Sequence, residues 1–192
     1  LRELHHAQQF RLLAQDIGGL LTVERLADHL SALADVLVAV TLEAIWKMLP
    51  GHHREHPAFA VIAYGKLGGL ELNYGSDLDL VFVFRDEGQS AGGASGRSIA
   101  SSEWMHRAAR RTIELLSEIT PDGFVFRVDT RLRPNGDSGP LVASLSMLEQ
   151  YFYSQGREWE RFAWLKAHVI ADTGQAGEQC SRNDILSLEK TG

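Results

Sequence analysis

The residues with the clearest chemical potential are Asp77 and Asp79, in the run Gly75-Ser76-Asp77-Leu78-Asp79-Leu80. Two aspartates two apart at the start of a strand place both carboxylates on one face, with Leu78 and Leu80 on the other. Like charges side by side repel, and each carries a desolvation cost when buried. A strand that holds a divalent cation gains oxygen ligands from that arrangement. Mg²⁺, or Mn²⁺, suits it, since such ions are held by one or two carboxylates plus substrate phosphates. Taken alone, the pair also describes a solvated strand end.

Two neighbouring features weigh toward the metal. Gly68-Gly69 precedes Asp77 by a short loop and follows an apolar run. Glycine there lets the backbone approach a phosphate chain, with Lys66 and Ser76 as further donors; a plain tight turn is the milder reading. In Phe124–Asp129, alternation puts Phe124, Phe126 and Val128 on one face and Val125, Arg127 and Asp129 on the other. Asp129 then ends a strand among Arg127, Arg131 and Arg133. That is either a salt-bridge network or a third metal ligand beside arginines that neutralise phosphate oxygens. Read together, the carboxylates, glycine turn and arginines fit in-line phosphoryl or nucleotidyl transfer. Neither a P-loop nor a G-x-G-x-x-G pattern occurs.

These residues need elements to position them. Phe59–Tyr64 and Leu78–Phe84 read as strands buried on both faces, and Phe124–Asp129 as a third. Helices are expected over 3–17 and 22–49, with Thr22 as N-cap and Leu26, Leu30, Leu33, Leu37 and Val40 forming one stripe. Others are expected over about 102–119, capped by Ser101, and over 145–154 and 157–170, divided by Gly156. Thr120-Pro121-Asp122-Gly123 is a turn. Pro50-Gly51 ends the second helix, and residues 52–56, rich in histidine, read as a solvated loop. Residues 86–98 read as a glycine-rich loop and 173–192 as a polar tail. Arg157, Arg161 and Lys166 are candidates for the phosphate side of the cleft or a solvated face. Trp159 and Trp164 read as packing residues, and the His106, Arg107, Arg110 and Arg111 stretch as a solvated helix face.

Composition bounds the rest. The chain has 192 residues, is 44% hydrophobic and 23% charged, and carries a net charge of −6. That describes an ordinary folded domain and disfavours broad electrostatic binding to nucleic acid. No window approaches 18 uninterrupted apolar residues, so no membrane span is expected. The one cysteine, Cys180, points to a reducing, cytoplasmic compartment. The first methionine is Met48, so the chain reads as a piece of a longer protein.

The Gly-Gly-x7-Asp-x-Asp pattern with a later strand aspartate resembles the polymerase beta-like nucleotidyltransferases. The strings GKLGGLELNYGSDLDLVF (65–82), DGFVFRVDTRLRPNGDSGPL (122–141) and QGREWERFAWLKA (155–167) resemble the glutamine synthetase adenylyltransferase family. The resemblance implies an α/β fold with a small mixed sheet, flanking helices and an N-terminal helical extension. It divides the chain into the extension (1–57), a nucleotidyltransferase domain (58–172) and the tail. It implies Asp77, Asp79 and Asp129 as metal ligands and catalytic residues, with Gly68, Gly69, Ser76, Lys66, Arg131 and Arg133 around ATP, ADP or phosphate. The implied protein substrate is glutamine synthetase, and the implied effectors of the whole protein are the PII signalling protein and glutamine. Family members pair two such halves. One removes AMP from a tyrosine by phosphorolysis, releasing ADP, and the other adds AMP from ATP. Glu71-Leu72-Asn73, Arg127-Val128-Asp129, Ser138-Gly139-Pro140-Leu141 and residues 155–161 resemble the removing half. Tyr64-Gly65-Lys66 and Leu26–Leu30 resemble the adding half. Removal is the expected direction. A nucleotide-binding module without turnover is the rival of another class.

Overall fold

A computed structural model describes residues 1–49, 59–85 and 100–172. The readings made of Pro50-Gly51, of 52–56, of 86–98 and of the tail with Cys180 lie outside the described residues. The order is α1 (Arg2–Ile17), α2 (Val23–Met48), β1 (Phe59–Tyr64), α3 (Gly65–Gly68), β2 (Leu78–Phe84), α4 (Ser101–Ser117), β3 (Val128–Asp129), β4 (Val142–Ser144), α5 (Leu145–Ser154), α6 (Glu158–Trp164) and β5 (His168–Asp172). The five strands form one mixed sheet in the order β3-β2-β1-β5, with β4 also paired to β2. β1 runs antiparallel to β2 and β5, while β3 and β4 run parallel to β2. The expected α/β fold is the one observed.

The two central strands lack polar alternation because both sheet faces are covered. Phe59, Val61, Ala63, Leu78, Leu80, Phe82 and Phe84 point into a core closed by α2 and α4. Ala60, Ile62, Tyr64, Val81 and Val83 point into a smaller core with Leu148 and Trp164. Trp164 meets Tyr64 edge-on at 5.2 Å and Phe152 at 4.7 Å. Asp79 has the same strand parity as Val81 and Val83, so it sits at the rim of the smaller core.

α2 starts where Thr22 accepts a hydrogen bond from the Arg25 amide, as expected of an N-cap. Its buried line runs through Leu30, Ala34, Leu37, Val38, Leu42, Ile45 and Trp46. Val40 lies 49% exposed, off the expected stripe, because the stripe drifts around a helix this long. By length and apolarity α2 passes the test for a membrane-crossing helix, which uninterrupted runs alone do not reveal; half of its apolar window is buried inside the fold. The apolarity is what its two-sided packing requires. On the solvated face of α4, Arg107 pairs with Glu103, and Arg110 and Arg111 pair with Glu114.

Several local expectations are corrected. Only Val128–Asp129 of the run 124–129 is strand. The amides of Val125 and Phe126 both donate to the Leu116 carbonyl, so the chain folds onto the end of α4. Both side chains are consequently buried, which breaks the alternation. The helix expected over 157–170 stops at Trp164, and 168–172 pairs with β1 instead. Ser101 is the first residue of α4 rather than its cap, and its buried hydroxyl has no partner among the described residues. Trp159 is 52% exposed and is not a packing residue.

α1 packs through His5, which is 4% exposed and has its ring 4.5 Å from that of Phe126. Neither ring nitrogen finds a hydrogen-bond partner among the described residues. Burial, and then the charge of His6, lower its pKa to about 4. As pH falls below 6.5 the unfolded chain takes up a proton that the folded chain refuses until about 4. Stability is therefore full above 6.5 and is lost progressively toward 4. His5→Leu is expected to remove this slope and to stabilise the protein at pH 5 by about 1–2 kcal/mol more than at pH 7.5. Thermal melts of parent and variant at both pH values check this; parallel melting curves at the two pH values would contradict it.

Candidate active site

The chain enters β2 through a turn that Asn73 closes. Its side-chain oxygen accepts from the Gly75 amide (3.2 Å) and the Ser76 hydroxyl (2.7 Å), and the Ser76 hydroxyl accepts from the Asn73 amide. Ser76 thus holds the turn before the acidic pair. The Leu78 amide donates to the Arg127 carbonyl, which brings β3 alongside in parallel. That register sets Asp79 directly opposite Asp129.

The three carboxylates differ in their surroundings. Asp79 has its pKa raised by burial first, then by the charges of Asp129 and Asp77, with Arg131 opposing. Asp129 has its pKa lowered, above all by its hydrogen bonds from Arg131. Asp129 Oδ1 accepts from the Arg131 amide (2.8 Å) and Nε (3.0 Å), and Oδ2 from Nε (2.9 Å) and Nη2. Asp77 is half exposed and lies 3.5 Å from Arg127 Nε. An open cleft of about 430 Å³ runs between Asp77, Arg127, Ser117, Thr130, Asp129 and Arg131.

The remaining candidate residues are placed as follows. Lys66 is exposed on α3, the turn that follows β1. Gly68 is pressed into the fold: a Cβ there would collide with the Lys166 carbonyl and come within 2.9 Å of the Ala63 carbonyl. Packing against the chain entering β5 is therefore sufficient reason for Gly68. Gly69 faces only the exposed Lys166 side chain, at 3.2 Å, which can give way. Arg133 is only 11% exposed, and donates to the Thr130 carbonyl (2.8 Å) and hydroxyl (2.7 Å) while pairing with Asp137. It ties down the 130–139 turn. Arg161 donates to the Phe152 carbonyl and Lys166 pairs with Glu71, so both are engaged away from the cleft.

Arg127, one of the three arginines expected around Asp129, lines the cleft, its guanidinium 5.8 Å over the Phe124 ring. One further residue joins the site that sequence reasoning left without a role. Gly65 adopts φ +58°, and a Cβ there would strike Asp79 Oδ2. A glycine at the end of a buried strand was legible, but its contact with Asp79 was not.

The donor set suits a hard divalent cation. It is all oxygen, and Asp79 is crowded by like charge that a cation would relieve. Among the described residues no three acidic, histidine or cysteine side chains form a ready cage. An incomplete cage is what Mg²⁺ ordinarily uses, with water and substrate phosphate completing the shell.

Comparison with known proteins shows the family. A family model described as glutamate-ammonia ligase adenylyltransferase matches residues 1–183. The chain belongs to that family. It is 47% identical to a bifunctional glutamine synthetase adenylyltransferase/adenylyl-removing enzyme of Burkholderia pseudomallei, over 99% of this chain and 21% of the relative. Proteins of the same description from Aromatoleum aromaticum and Neisseria meningitidis serogroup B are 48% and 43% identical, over 95% and 99% of this chain. The chain spans about one fifth of the length of these relatives.

Proposed function

We propose that this domain carries out divalent-metal-dependent nucleotidyl transfer on glutamine synthetase, removing AMP from a modified tyrosine by phosphorolysis. The carrying observation is the register that sets Asp79 opposite Asp129, with Asp77 two residues before Asp79. In this reading Asp77, Asp79 and Asp129 hold Mg²⁺ or Mn²⁺, which when bound neutralises charge at the reacting phosphorus. Arg131 and Arg127 grip phosphate oxygens across the cleft. Lys66, Gly68, Gly69 and Ser76 shape the adjoining turn, and Arg133 fixes the loop carrying Arg131. An oxygen of inorganic phosphate attacks the adenylyl phosphorus. The bond to the tyrosyl oxygen breaks, that oxygen leaves with the electron pair and takes a proton, and ADP is released.

The direction rests on Glu71-Leu72-Asn73, Arg127-Val128-Asp129 and residues 155–161. A second reading, AMP addition from ATP, is favoured by Tyr64-Gly65-Lys66 and Leu26–Leu30. Incubation with adenylylated glutamine synthetase, phosphate and Mg²⁺ separates them. ADP release is the expected result. Transfer of AMP from ATP to the unmodified synthetase, with no ADP formed from the adenylylated one, would overturn the direction. Control by a PII protein and by glutamine, and a cytoplasmic setting, belong to the same proposal for the whole protein.

A further inference from the structure

The Arg131 contacts go beyond a surface ion pair. A carboxylate offers about four lone-pair sites. Three N–H groups of Arg131 donate to the two oxygens of Asp129: the amide, Nη2, and Nε, whose one proton is shared between both oxygens. Most of the Asp129 carboxylate is therefore occupied while Arg131 stays in place. Arg127 covers Asp77 across the same cleft. The side chains of Arg127 and Arg131 are 70% and 73% exposed, whereas Arg133 nearby is fixed at 11%. The cations at the cleft are thus the movable partners, while Asp129 is held on β3 and Asp77 stands one residue before β2. The Arg127–Asp77 pair, exposed on both sides, is weak, and the Arg131 fork binds phosphate oxygens as well as it binds carboxylate.

We propose that the cleft loads by partner exchange: Arg127 and Arg131 leave Asp77 and Asp129 for the oxygens of a phosphate group, and the carboxylates so released take the divalent cation. Anion and cation binding are then mutually dependent, and each arginine pair holds the empty site closed to metal. This assigns Arg127 to the substrate anion. It rests on the metal reading given above for the three aspartates.

The test is Mn²⁺ binding without phosphate, followed by the electron paramagnetic resonance of free Mn²⁺, for the parent chain, Arg131→Lys and Arg127→Lys. Lysine keeps the positive charge but cannot fork, so general electrostatics is unchanged while the block is removed. Backbone amide spectra establish that each variant is folded. Exchange predicts that Mn²⁺ binds Arg131→Lys about three- to fivefold more tightly than the parent. It also predicts that the Arg131 Nε–H signal of the parent shifts when Mg²⁺ is added. Equal Mn²⁺ affinity in parent and both variants, with the Nε–H signal unmoved, overturns the exchange and leaves the metal reading standing. Failure of all three proteins to bind Mn²⁺ overturns both.

Discussion

Asp79→Asn is expected to abolish nucleotidyl transfer and, at the same time, to raise the melting temperature. The two effects have one cause. Asp79 is partly withdrawn from water and faces the charges of Asp129 and Asp77, so its ionised form is penalised in the folded state. Asparagine has the same shape without the charge, and relieves that penalty. Under the proposed function the loss of this carboxylate is expected to cost turnover at least the about 10²–10³-fold that follows removal of one charge-stabilising group from a preorganised site. Product release and thermal melts on the same preparation check both halves. Retained turnover with a lowered melting temperature would show that Asp79 is structural.

Gly65→Ala is expected to lose activity to a similar extent but to melt lower. Its φ of +58° costs a non-glycine residue about 1–2 kcal/mol. The added Cβ would also occupy the place of Asp79 Oδ2, so the carboxylate has to move out of line with Asp129. Gly75→Ala is the control. It lies in the turn just before Asp77, yet a Cβ there meets nothing within 4 Å. Activity close to the parent in Gly75→Ala, and its loss in Gly65→Ala, isolates the contact with Asp79. Full activity in Gly65→Ala would mean that the position of Asp79 is not critical.

The parts of this fold that were legible from the chain are those fixed locally. Phe59–Tyr64 and Leu78–Phe84 announce themselves because strands covered on both faces lose polar alternation. The placement of Asp77 and Asp79 at the rim follows from a period of two, and Thr22 is a cap by its own side chain. What was not legible depends on partners far away in sequence. His168–Asp172 follows a helical pattern, and its pairing with β1 makes it a strand. Residues 124–127 alternate on paper, and the carbonyl of Leu116 takes two successive amides and turns them off the sheet. Gly68 reads as a phosphate cradle until Lys166 is found packed against it, and Arg133 reads as free until Thr130 and Asp137 are found around it. In each case a distant contact decided between readings that the local pattern left open.

The central claim is that three aspartates from two neighbouring strands share a divalent ion. Mn²⁺ introduced into crystals of this chain, together with inorganic phosphate, tests it most directly through anomalous scattering. The account predicts a peak at coordination distance from the carboxylates of Asp77, Asp79 and Asp129, with Arg131 turned away from Asp129. Manganese bound elsewhere, or absent while Arg131 still grips Asp129, would contradict it.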